Sequence, residues 1–294
     1  MPSEDFDRLK LLFRRTCTLP QLPGTALRLI STIDTGEASA IDLEKIIVSD
    51  PGLAAGFLRA AHAACHGERE YTTIRQAIMY MGQRAVRSLS TSLALQGMLT
   101  NPDARVPFNA QTFSRHSIFV GFLSRYVFAR RQMREPFPSA WTADEIFAAG
   151  VLHDLGLGLL PRVAPEVYGR VANYSRRAGL TLNGAFERIY GDHISVLSAA
   201  AAETWQLPEV FTLTLRHRSK PWGMMEEYPA LCCIEYANFL ADSHGFAVAE
   251  WPVKVEQNPE IELEVALPEE EVGTVIELVA EMAEAYLPEN LKAA

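Results

Sequence analysis

The chain has 294 residues, of which 48% are hydrophobic and 21% charged, a composition typical of a globular protein with one large domain or two small ones. The formal net charge of −9 is unevenly distributed. Residues 241–294 contain two basic and 13 acidic residues, while residues 1–240 contain 25 and 23. The sequence therefore has no concentrated basic face of the kind that binds nucleic acid, and we expect no nucleic-acid partner.

The sequence also argues against three further classes of protein: those with a membrane-spanning helix, those with a signal peptide, and those built on a disulfide framework or a zinc knuckle. No uninterrupted apolar run approaches the roughly 18 residues that a membrane-spanning helix needs. The charged residues 1–15 lack the apolar core and cleavage site of a signal peptide. Cys17, Cys65, Cys232 and Cys233 have no CxxC spacing, which argues against a disulfide framework or a zinc knuckle. We expect a cytoplasmic protein with buried free thiols and no membrane contact.

Helix signals follow one another along almost the whole chain. The predicted helix starts, each followed by apolar residues at helical spacing, are Pro23, Ser39, Asp50, Thr73, Thr142, Pro165, Asp192 and Pro208. Thr73 and Thr142 are each followed three residues later by Gln76 or Glu145, which is the pattern of a capping box. Residues 101–109 form the clearest linker, and residues 269–287 form a last amphipathic helix. The weak alternation in residues 253–265 does not support a sheet, so the predicted fold class is all-α.

Several polar side chains occupy positions where a helical core should be apolar. They continue the apolar period of their helices and should point inward; they are His116, His153 with Asp154, His193, His217 and Asn238. An unpaired buried polar group costs on the order of 1–3 kcal/mol. We therefore expect these groups to satisfy one another, either through a metal ion or in a metal-free network of hydrogen bonds.

Longer segments of the chain resemble one known family. The segments that carry the resemblance are LPQLPGTALRLISTID, DLEKIIVSDPGLAAGFLRAA, TTIRQAIMYMGQRAVRSL, AAGVLHDLGLGLL, YGDHISVLSAAAAETWQLP and LRHRSKP. In this order and spacing they resemble the HDOD family, bacterial signal-output modules related to the HD metal-dependent phosphohydrolases. The resemblance covers residues 15–245 and implies a two-lobed helical bundle with an HD-like core. The lobes would be residues 15–100 and 109–245, followed by the acidic segment 246–294.

The resemblance also implies a role for each polar residue. His116 matches the first metal-binding histidine, and His153 with Asp154 matches the HD doublet. His193 and His217 match histidines that hold a second metal ion in dinuclear relatives, and Asn238 matches a closing aspartate. Imidazole and carboxylate together suit Fe, Mn or Zn, and two such ions could activate water for attack on a phosphate.

This chain departs from the enzyme pattern at four places. Asn238 replaces a carboxylate with a neutral amide, and Leu157 stands where phosphohydrolases commonly have lysine. Arg218 stands where dinuclear relatives have a second consecutive histidine, and a guanidinium cannot ligate a metal. The segment PWGMMEEYP lacks the GYP signature of cyclic-dinucleotide phosphodiesterases.

Two functions therefore remain open at this stage. The first is a non-catalytic signalling module that contacts one or more signalling proteins, with a homodimer as a further alternative. The second is a metal-dependent phosphohydrolase that acts on a nucleotide or phosphoester. The partly retained ligand set is compatible with a bound Fe, Mn or Zn ion or with no cofactor at all.

Overall fold

The computed structural model describes residues 2–15, 18–32, 39–64, 71, 73–99, 106, 108–137, 139–224 and 228–287. Within these ranges the protein consists of α-helices, one short 3₁₀ turn at Pro221–Met224 and a single parallel bridge between Leu180 and Lys254. The helices are α1 (Pro2–Phe13), α2 (Gly24–Ser31), α3 (Ala40–Val48), α4 (Pro51–Ala64), α5 (Ile74–Met81), α6 (Gln83–Leu99), α7 (Ala110–Arg134), α8 (Ala143–Leu152), α9 (Leu155–Val163), α10 (Pro165–Ala178), α11 (Leu182–Tyr190), α12 (Ser195–Thr204), α13 (Glu209–His217), α14 (Ala230–Ser243), α15 (Pro259–Val265) and α16 (Glu269–Tyr286). The all-α prediction is confirmed. Cys17, Cys65 and most of the predicted linker lie outside the described residues.

The predicted capping boxes are present in the structure. Thr73 and Thr142 each accept a hydrogen bond from the backbone N–H three residues later, and the side chains of Gln76 and Glu145 accept from the capping residues' own N–H groups. Helix α3 begins with the same reciprocal pair, formed by Ser39 and Asp42. These bonds satisfy backbone donors that a helix start leaves free, so the helix boundaries follow from local chemistry.

Helix α7 is the centre of the bundle and packs against α8, α14 and α16. Two glycines let α7 and α8 approach closely. A Cβ added at Gly121 would lie 2.7 Å from Val151 Cγ2, and one added at Gly150 would lie 2.9 Å from the Cα of Gly121. No larger side chain fits this crossing without a shift of the helices. The crossing places His116, one turn before Gly121, near His153 at the end of α8.

One long apolar stretch of the chain is buried in the bundle. Within the described residues, the stretch Ala143–Val163 is long and apolar enough to cross a membrane by length and composition. The HD doublet interrupts this stretch, which is why it does not stand out as an unbroken apolar run in the sequence. In the structure 89% of it is buried inside the bundle. Burial among the other helices accounts for its apolar composition.

The acidic C-terminal segment is part of the bundle. Helix α16 buries Val275, Ile276, Val279, Ala283 and Tyr286, and it packs against α7 and α4. The predicted amphipathic helix is therefore present, and its apolar face is docked on the bundle. Apolar and polar residues alternate weakly in 253–265. This segment contains helix α15, which agrees with the prediction that it forms no sheet.

Glu264 and Glu271 of the acidic segment form ion pairs with arginines of α7. Arg131, which is only 9% exposed, donates from Nε to the carbonyl of Glu264 at 2.9 Å and from Nη2 to Oε1 of the same residue at 2.8 Å. Arg130 forms a bidentate pair with Glu271 on α16. The acidic segment thus supplies counter-charges to arginines of α7.

Helix α1 precedes the predicted start of the domain at residue 15, yet it packs against α11 and α12. Phe6 of α1 contacts the rings of Phe186 and Tyr190 on α11. Helix α6 of the predicted N-terminal lobe packs against α8 of the second. The proposed lobe boundaries at residues 100 and 109 remain a prediction.

Candidate metal centre

Four of the predicted polar residues meet in the core. His116 lies on α7, His153 and Asp154 lie at the junction of α8 and α9, and Asn238 lies on α14. His116, His153 and Asp154 are each at most 2% exposed, and Asn238 is 8% exposed. The sequence prediction that these side chains point inward and converge is therefore correct for these four.

Three atoms of this cluster form a triangle of suitable size for one cation. The Nε2 atoms of His116 and His153 are 3.2 Å apart, and Oδ2 of Asp154 lies 3.7 Å from the first and 3.5 Å from the second. A point equidistant from the three atoms lies about 2 Å from each, which matches a metal–nitrogen bond. Two imidazoles and a carboxylate are ligands that Fe, Mn and Zn accept. The donor set and its spacing fit a divalent ion.

The protonation of both rings adds to this fit. Nδ1 of His116 lies 2.7 Å from the carbonyl oxygen of Phe246, and Nδ1 of His153 lies 2.7 Å from that of Gly150. A carbonyl oxygen only accepts, so both Nδ1 atoms must carry a hydrogen, and each neutral ring then presents the Nε2 lone pair to the other. Burial lowers the pKa of His153 to about 3, against the opposing attraction of Asp154. Either a metal ion or an added proton must separate the two lone pairs.

Asn238 supplies a fourth donor atom, an oxygen, beside His153. Its Oδ1 lies 3.1 Å from Nε2 of His153. Burial raises the pKa of Glu235, one turn earlier on α14, while the charge of Arg218 and a side-chain hydrogen bond with Asn238 oppose the shift. A carboxylate accepts that bond from the amide nitrogen, which leaves the amide oxygen directed at the histidines. Glu235 therefore orients Asn238 so that its amide oxygen is available as a metal ligand.

The second oxygen of Asp154 has different neighbours. Oδ1 accepts a hydrogen bond from Nδ2 of Asn183 on α11 at 3.1 Å, and Nη1 of Arg218 also lies 3.1 Å away. Burial alone would raise the pKa of Asp154, but the charge of Arg218 holds it well below its ordinary value. The carboxylate is therefore ionised in the folded protein across the physiological pH range, as a metal ligand must be.

His193 and His217 do not join the triangle. His193 lies in the turn between α11 and α12 instead of on a helix, is half-buried, and its Nδ1 accepts from the N–H of Ser195 at 3.1 Å. Burial and the nearby charge of Arg218 lower the pKa of His193 to about 3. His217 is the last residue of α13 and is half-buried; in the described part of the chain no hydrogen bond or ion pair connects it to the cluster. The prediction that His193 and His217 both continue buried helical faces was wrong, and their assignment to a second metal remains a prediction.

Three residues near the site were not singled out in the sequence. Glu235 and Asp242 lie on α14 three residues before and four residues after Asn238, so helical spacing could have indicated them. Oδ1 of Asp242 lies 3.8 Å from Nδ1 of His116, and burial raises the pKa of Asp242 to about 6. No sequence pattern indicated Asn183, because it lies on a helix that carries none of the predicted ligands.

Little space remains around the cluster. The cavity beside His116 and Asp154 has a volume of about 10 Å³, and Leu157, Asn183 and Asp242 contribute to its wall. This volume holds about one water molecule. Pockets that take drug-sized ligands are far larger, roughly 300–1,000 Å³. The conformation therefore admits an ion and a water molecule but no nucleotide.

Comparison with known proteins identifies the family. The family model described as "HDOD domain" matches residues 19–221, which is more than half of the chain. The chain belongs to the HDOD family. This result confirms the resemblance seen in the sequence and agrees with the helical fold. The match alone assigns neither a partner nor an activity to the HDOD chain.

The relatives that match in sequence and structure are distant. An uncharacterised protein of Treponema pallidum (strain Nichols) is 23% identical over 224 residues, which is 75% of this chain and 41% of that protein. The HDOD chain thus spans less than half the length of this curated relative.

Solved structures share the fold at low identity. An HDOD domain protein of unknown function from Geobacter sulfurreducens has a TM-score of 0.69 at 19% identity and covers 97% of this chain and 100% of its own. A protein of Marinobacter aquaeolei VT8, provisionally assigned to signal transduction, has a TM-score of 0.66 at 21% identity over 97% and 64% of the two chains. One from Shewanella amazonensis SB2B, provisionally described as a metal-dependent phosphohydrolase, has a TM-score of 0.67 at 17% identity over 92% of both.

Proposed function

We propose that this HDOD protein is a signal-transduction output module that acts by contact with partner proteins and does not hydrolyse phosphoesters. The observation that carries the proposal is the size of the cavity at the cluster. A volume of about 10 Å³ beside His116 and Asp154 leaves no room for a phosphoester between the ligands and solvent. The cluster then serves to hold the junction of α7, α8 and α14 together, with one Fe, Mn or Zn ion as its occupant.

The charges at the cluster support the same proposal. Hydrolysis by two ions needs ligands on both sides of Asp154, and the side that faces Arg218 already contains a cation that cannot ligate metal. Asn238 offers a neutral oxygen where the HD resemblance implies a carboxylate. Because of each difference, the centre binds metal ions less well and therefore places less positive charge around a phosphate.

A candidate contact surface lies on the outer faces of α3 and α5. Ile41 and Val48 are 48% and 55% exposed, and Met79 is 77% exposed. The ion pair between Glu44 of α3 and Arg75 of α5, 2.6 Å long, brings these two faces side by side. Large apolar side chains grouped on a surface favour contact with another protein.

The proposed partner is a signalling protein. The family match and the similarity of the fold to that of the Marinobacter aquaeolei protein favour a signalling protein as partner, with a second copy of the chain as the alternative. The acidic segment pairs with Arg130 and Arg131, which reduces the positive charge that α7 offers to a nucleic acid. We propose a cytoplasmic location without membrane contact, because the apolar stretch 143–163 is buried in the bundle.

An activity assay tests the absence of catalysis. The purified chain is incubated with Mn²⁺ or Fe²⁺ and with nucleoside mono-, di- and triphosphates, p-nitrophenyl phosphate and cyclic di-GMP, and His153→Ala is run in parallel as a control for contaminants. We expect equal, background-level phosphate release and no cleavage of cyclic di-GMP. Turnover that requires His153 would overturn the proposal.

A second assay tests the contact surface. The double variant Val48→Asp with Met79→Asp adds two charges to it, and Leu278→Asp adds one charge on α16, where Leu278 is 40% exposed. If the partner is a second copy, sedimentation velocity should show that only the double variant loses the dimer. A dimer that survives in the double variant would exclude this surface.

One observation favours the phosphohydrolase as the second candidate. Four atoms with lone pairs, from His116, His153, Asp154 and Asn238, face one point, as they would around a catalytic ion. This function would need the walls of the cavity to open by several ångströms. The same assay decides between the two functions, since metal-dependent turnover abolished in His153→Ala would support the enzyme.

A further inference from the structure

Asp154 presents its two oxygens to two different kinds of neighbour. Oδ2 faces the Nε2 atoms of His116 and His153 at 3.7 and 3.5 Å, where the donors fit a divalent ion. Oδ1 faces the guanidinium of Arg218 at 3.1 Å and the amide of Asn183 at 3.1 Å. The carboxylate thus bridges a site suited to a metal ion and a permanent cation.

Arg218 is held in place by charge, since its guanidinium makes ion pairs but no hydrogen bond with the residues that the structure describes. Its side chain is 2% exposed, and Nε, Nη1 and Nη2 all lack a hydrogen-bond partner. Besides Asp154, Glu235 lies near it, with Oε2 3.6 Å from Nε, and the charge of Asp242 also acts on the guanidinium. A buried cation without hydrogen bonds is unfavourable unless nearby anions compensate it. The nearby carboxylates supply that compensation.

The surroundings of Arg218 would otherwise suit a metal ion. Oδ1 of Asp154 and Oε2 of Glu235 are oxygen donors that lie 3.1 and 3.6 Å from the guanidinium, and burial together with the charge of Arg218 lowers the pKa of His193. A neutral imidazole and two carboxylates are ligands of first-row divalent ions. The guanidinium repels such an ion and offers no lone pair to it.

We propose that Arg218 is a built-in substitute for a second metal ion, so that the centre takes one divalent cation on the Oδ2 side of Asp154 and none on the Oδ1 side. This inference rests on the proposed function in one respect, since it takes the cluster to be a metal site. It adds the reason why the site stops at one ion. Arg218 neutralises Asp154 Oδ1 and Glu235 permanently, without a second metal.

The test counts Mn²⁺ ions bound to the full-length protein. Chelator-treated wild type, Arg218→Lys and Arg218→His are equilibrated with Mn²⁺, and bound metal is measured by equilibrium dialysis with elemental analysis. We expect one ion per chain in wild type and in Arg218→Lys, which keeps the charge. Arg218→His replaces the cation with a ligand and should bind two ions. Electron paramagnetic resonance should then show an isolated Mn²⁺ in wild type and a spin-coupled pair in Arg218→His.

Other outcomes would overturn the inference. Two ions in wild type would mean that Arg218 does not block the second position, and no bound ion would mean that the cluster is not a metal site. One ion in a folded Arg218→His would mean that the arginine is not what limits the number of ions.

A second variant covers the case in which Arg218→His does not fold. Arg218→Gln keeps a polar side chain of similar length but removes the repelling charge, so titration should show Mn²⁺ binding at least tenfold tighter than in wild type. Unchanged or weaker binding would contradict the inference. None of these measurements depends on phosphoester turnover. A count of one ion would therefore support the role of Arg218 even if the activity assay showed that the protein is an enzyme.

Discussion

The Nε2 atoms of His116 and His153 face each other at 3.2 Å, and the Nδ1 atoms of both rings are bound to backbone carbonyls. This arrangement directs two lone pairs at one point, beside the oxygens of Asp154 and Asn238. A hydrogen-bonded core without metal would pair donors with acceptors. The histidine pair is therefore the part of the molecule that most directly favours a bound cation.

Metal should stabilise the folded protein. A ligand that binds only the folded state at one hundred times its dissociation constant adds about 2.7 kcal/mol to the free energy of unfolding. We expect chelator-treated protein to melt several degrees higher after Mn²⁺ or Zn²⁺ is added, as measured by differential scanning calorimetry. His116→Gln should lose this shift. An identical melting temperature with and without saturating metal would indicate that a proton occupies the site instead.

Asp154→Ala should be strongly destabilising. The change leaves the buried guanidinium of Arg218 without its nearer counter-charge, and loss of one partner of a buried ion pair costs about 3–5 kcal/mol. Chemical denaturation followed by circular dichroism measures the loss. Glu281→Ala, which removes an exposed carboxylate on α16, serves as the control and should change stability by less than about 0.5 kcal/mol. Equal stability of the two variants would mean that the Asp154 pair is not coupled to folding.

Asn238→Asp should have opposite effects with and without metal. A carboxylate 3.1 Å from His153 gives a divalent ion a stronger ligand than the amide does, so calorimetric titration should show tighter Mn²⁺ binding. Without metal the new charge lies near Asp154 and Glu235 and should lower the melting temperature. Asn183→Asp, on the Oδ1 side of Asp154, is the matched comparison and should not improve the binding of the single ion. Equal affinity in wild type and Asn238→Asp would show that residue 238 does not face the ion.

The pH dependence of the chelated protein should reveal two opposing groups. His153 has a pKa of about 3 in the folded state and 6.5 as its ordinary value, so between these values only the unfolded chain binds its proton and stability falls as pH falls. Asp242 has the opposite sign between 3.8 and about 6, because only the folded state binds its proton there. The two contributions oppose each other in wild type, and His193, whose pKa is also about 3, acts in the same direction as His153.

Asp242→Asn removes one of these opposing contributions. Between pH 6 and 4 its free energy of unfolding should therefore fall, relative to wild type, by up to about 1.4 kcal/mol per pH unit as the pH is lowered. Urea denaturation at pH 6, 5 and 4 measures both slopes, with the exposed Asp192→Asn as the control. Parallel curves for wild type and Asp242→Asn would show that burial does not raise the pKa of this carboxyl group.

Tyr286 should be the anchor of the C-terminal helix. It is 4% exposed, its ring contacts those of Phe122 and Phe147, and its carbonyl accepts a hydrogen bond from Arg59 Nε at 3.0 Å. Tyr286→Ala should cost about 3–5 kcal/mol, the range for removal of a buried aromatic ring. Leu278→Ala on the exposed side of α16 should cost far less. A thermal melt of Tyr286→Ala that matches wild type would mean that α16 is not docked in solution.

Local sequence determined most of the helix boundaries in this protein. Ser39, Thr73 and Thr142 cap helices through bonds to residues three positions away, so neighbouring residues contain the necessary information. Helical spacing also determined that His116 and Asn238 point inward. The same spacing also indicates that Asp242 points inward.

Only the tertiary structure decided which inward groups meet. The period of a helix specifies its buried face but not the partner across it, which depends on how closely the helices cross. Contact between His116 and His153 required the approach of α7 and α8 at Gly121 and Gly150. The carbonyl of Phe246 that orients His116 comes from residues 130 positions away. The contact between Arg218 and Asp154 also depends on the tertiary structure. A charge in a folded core is stabilised by whichever opposite charge the packing brings within a few ångströms.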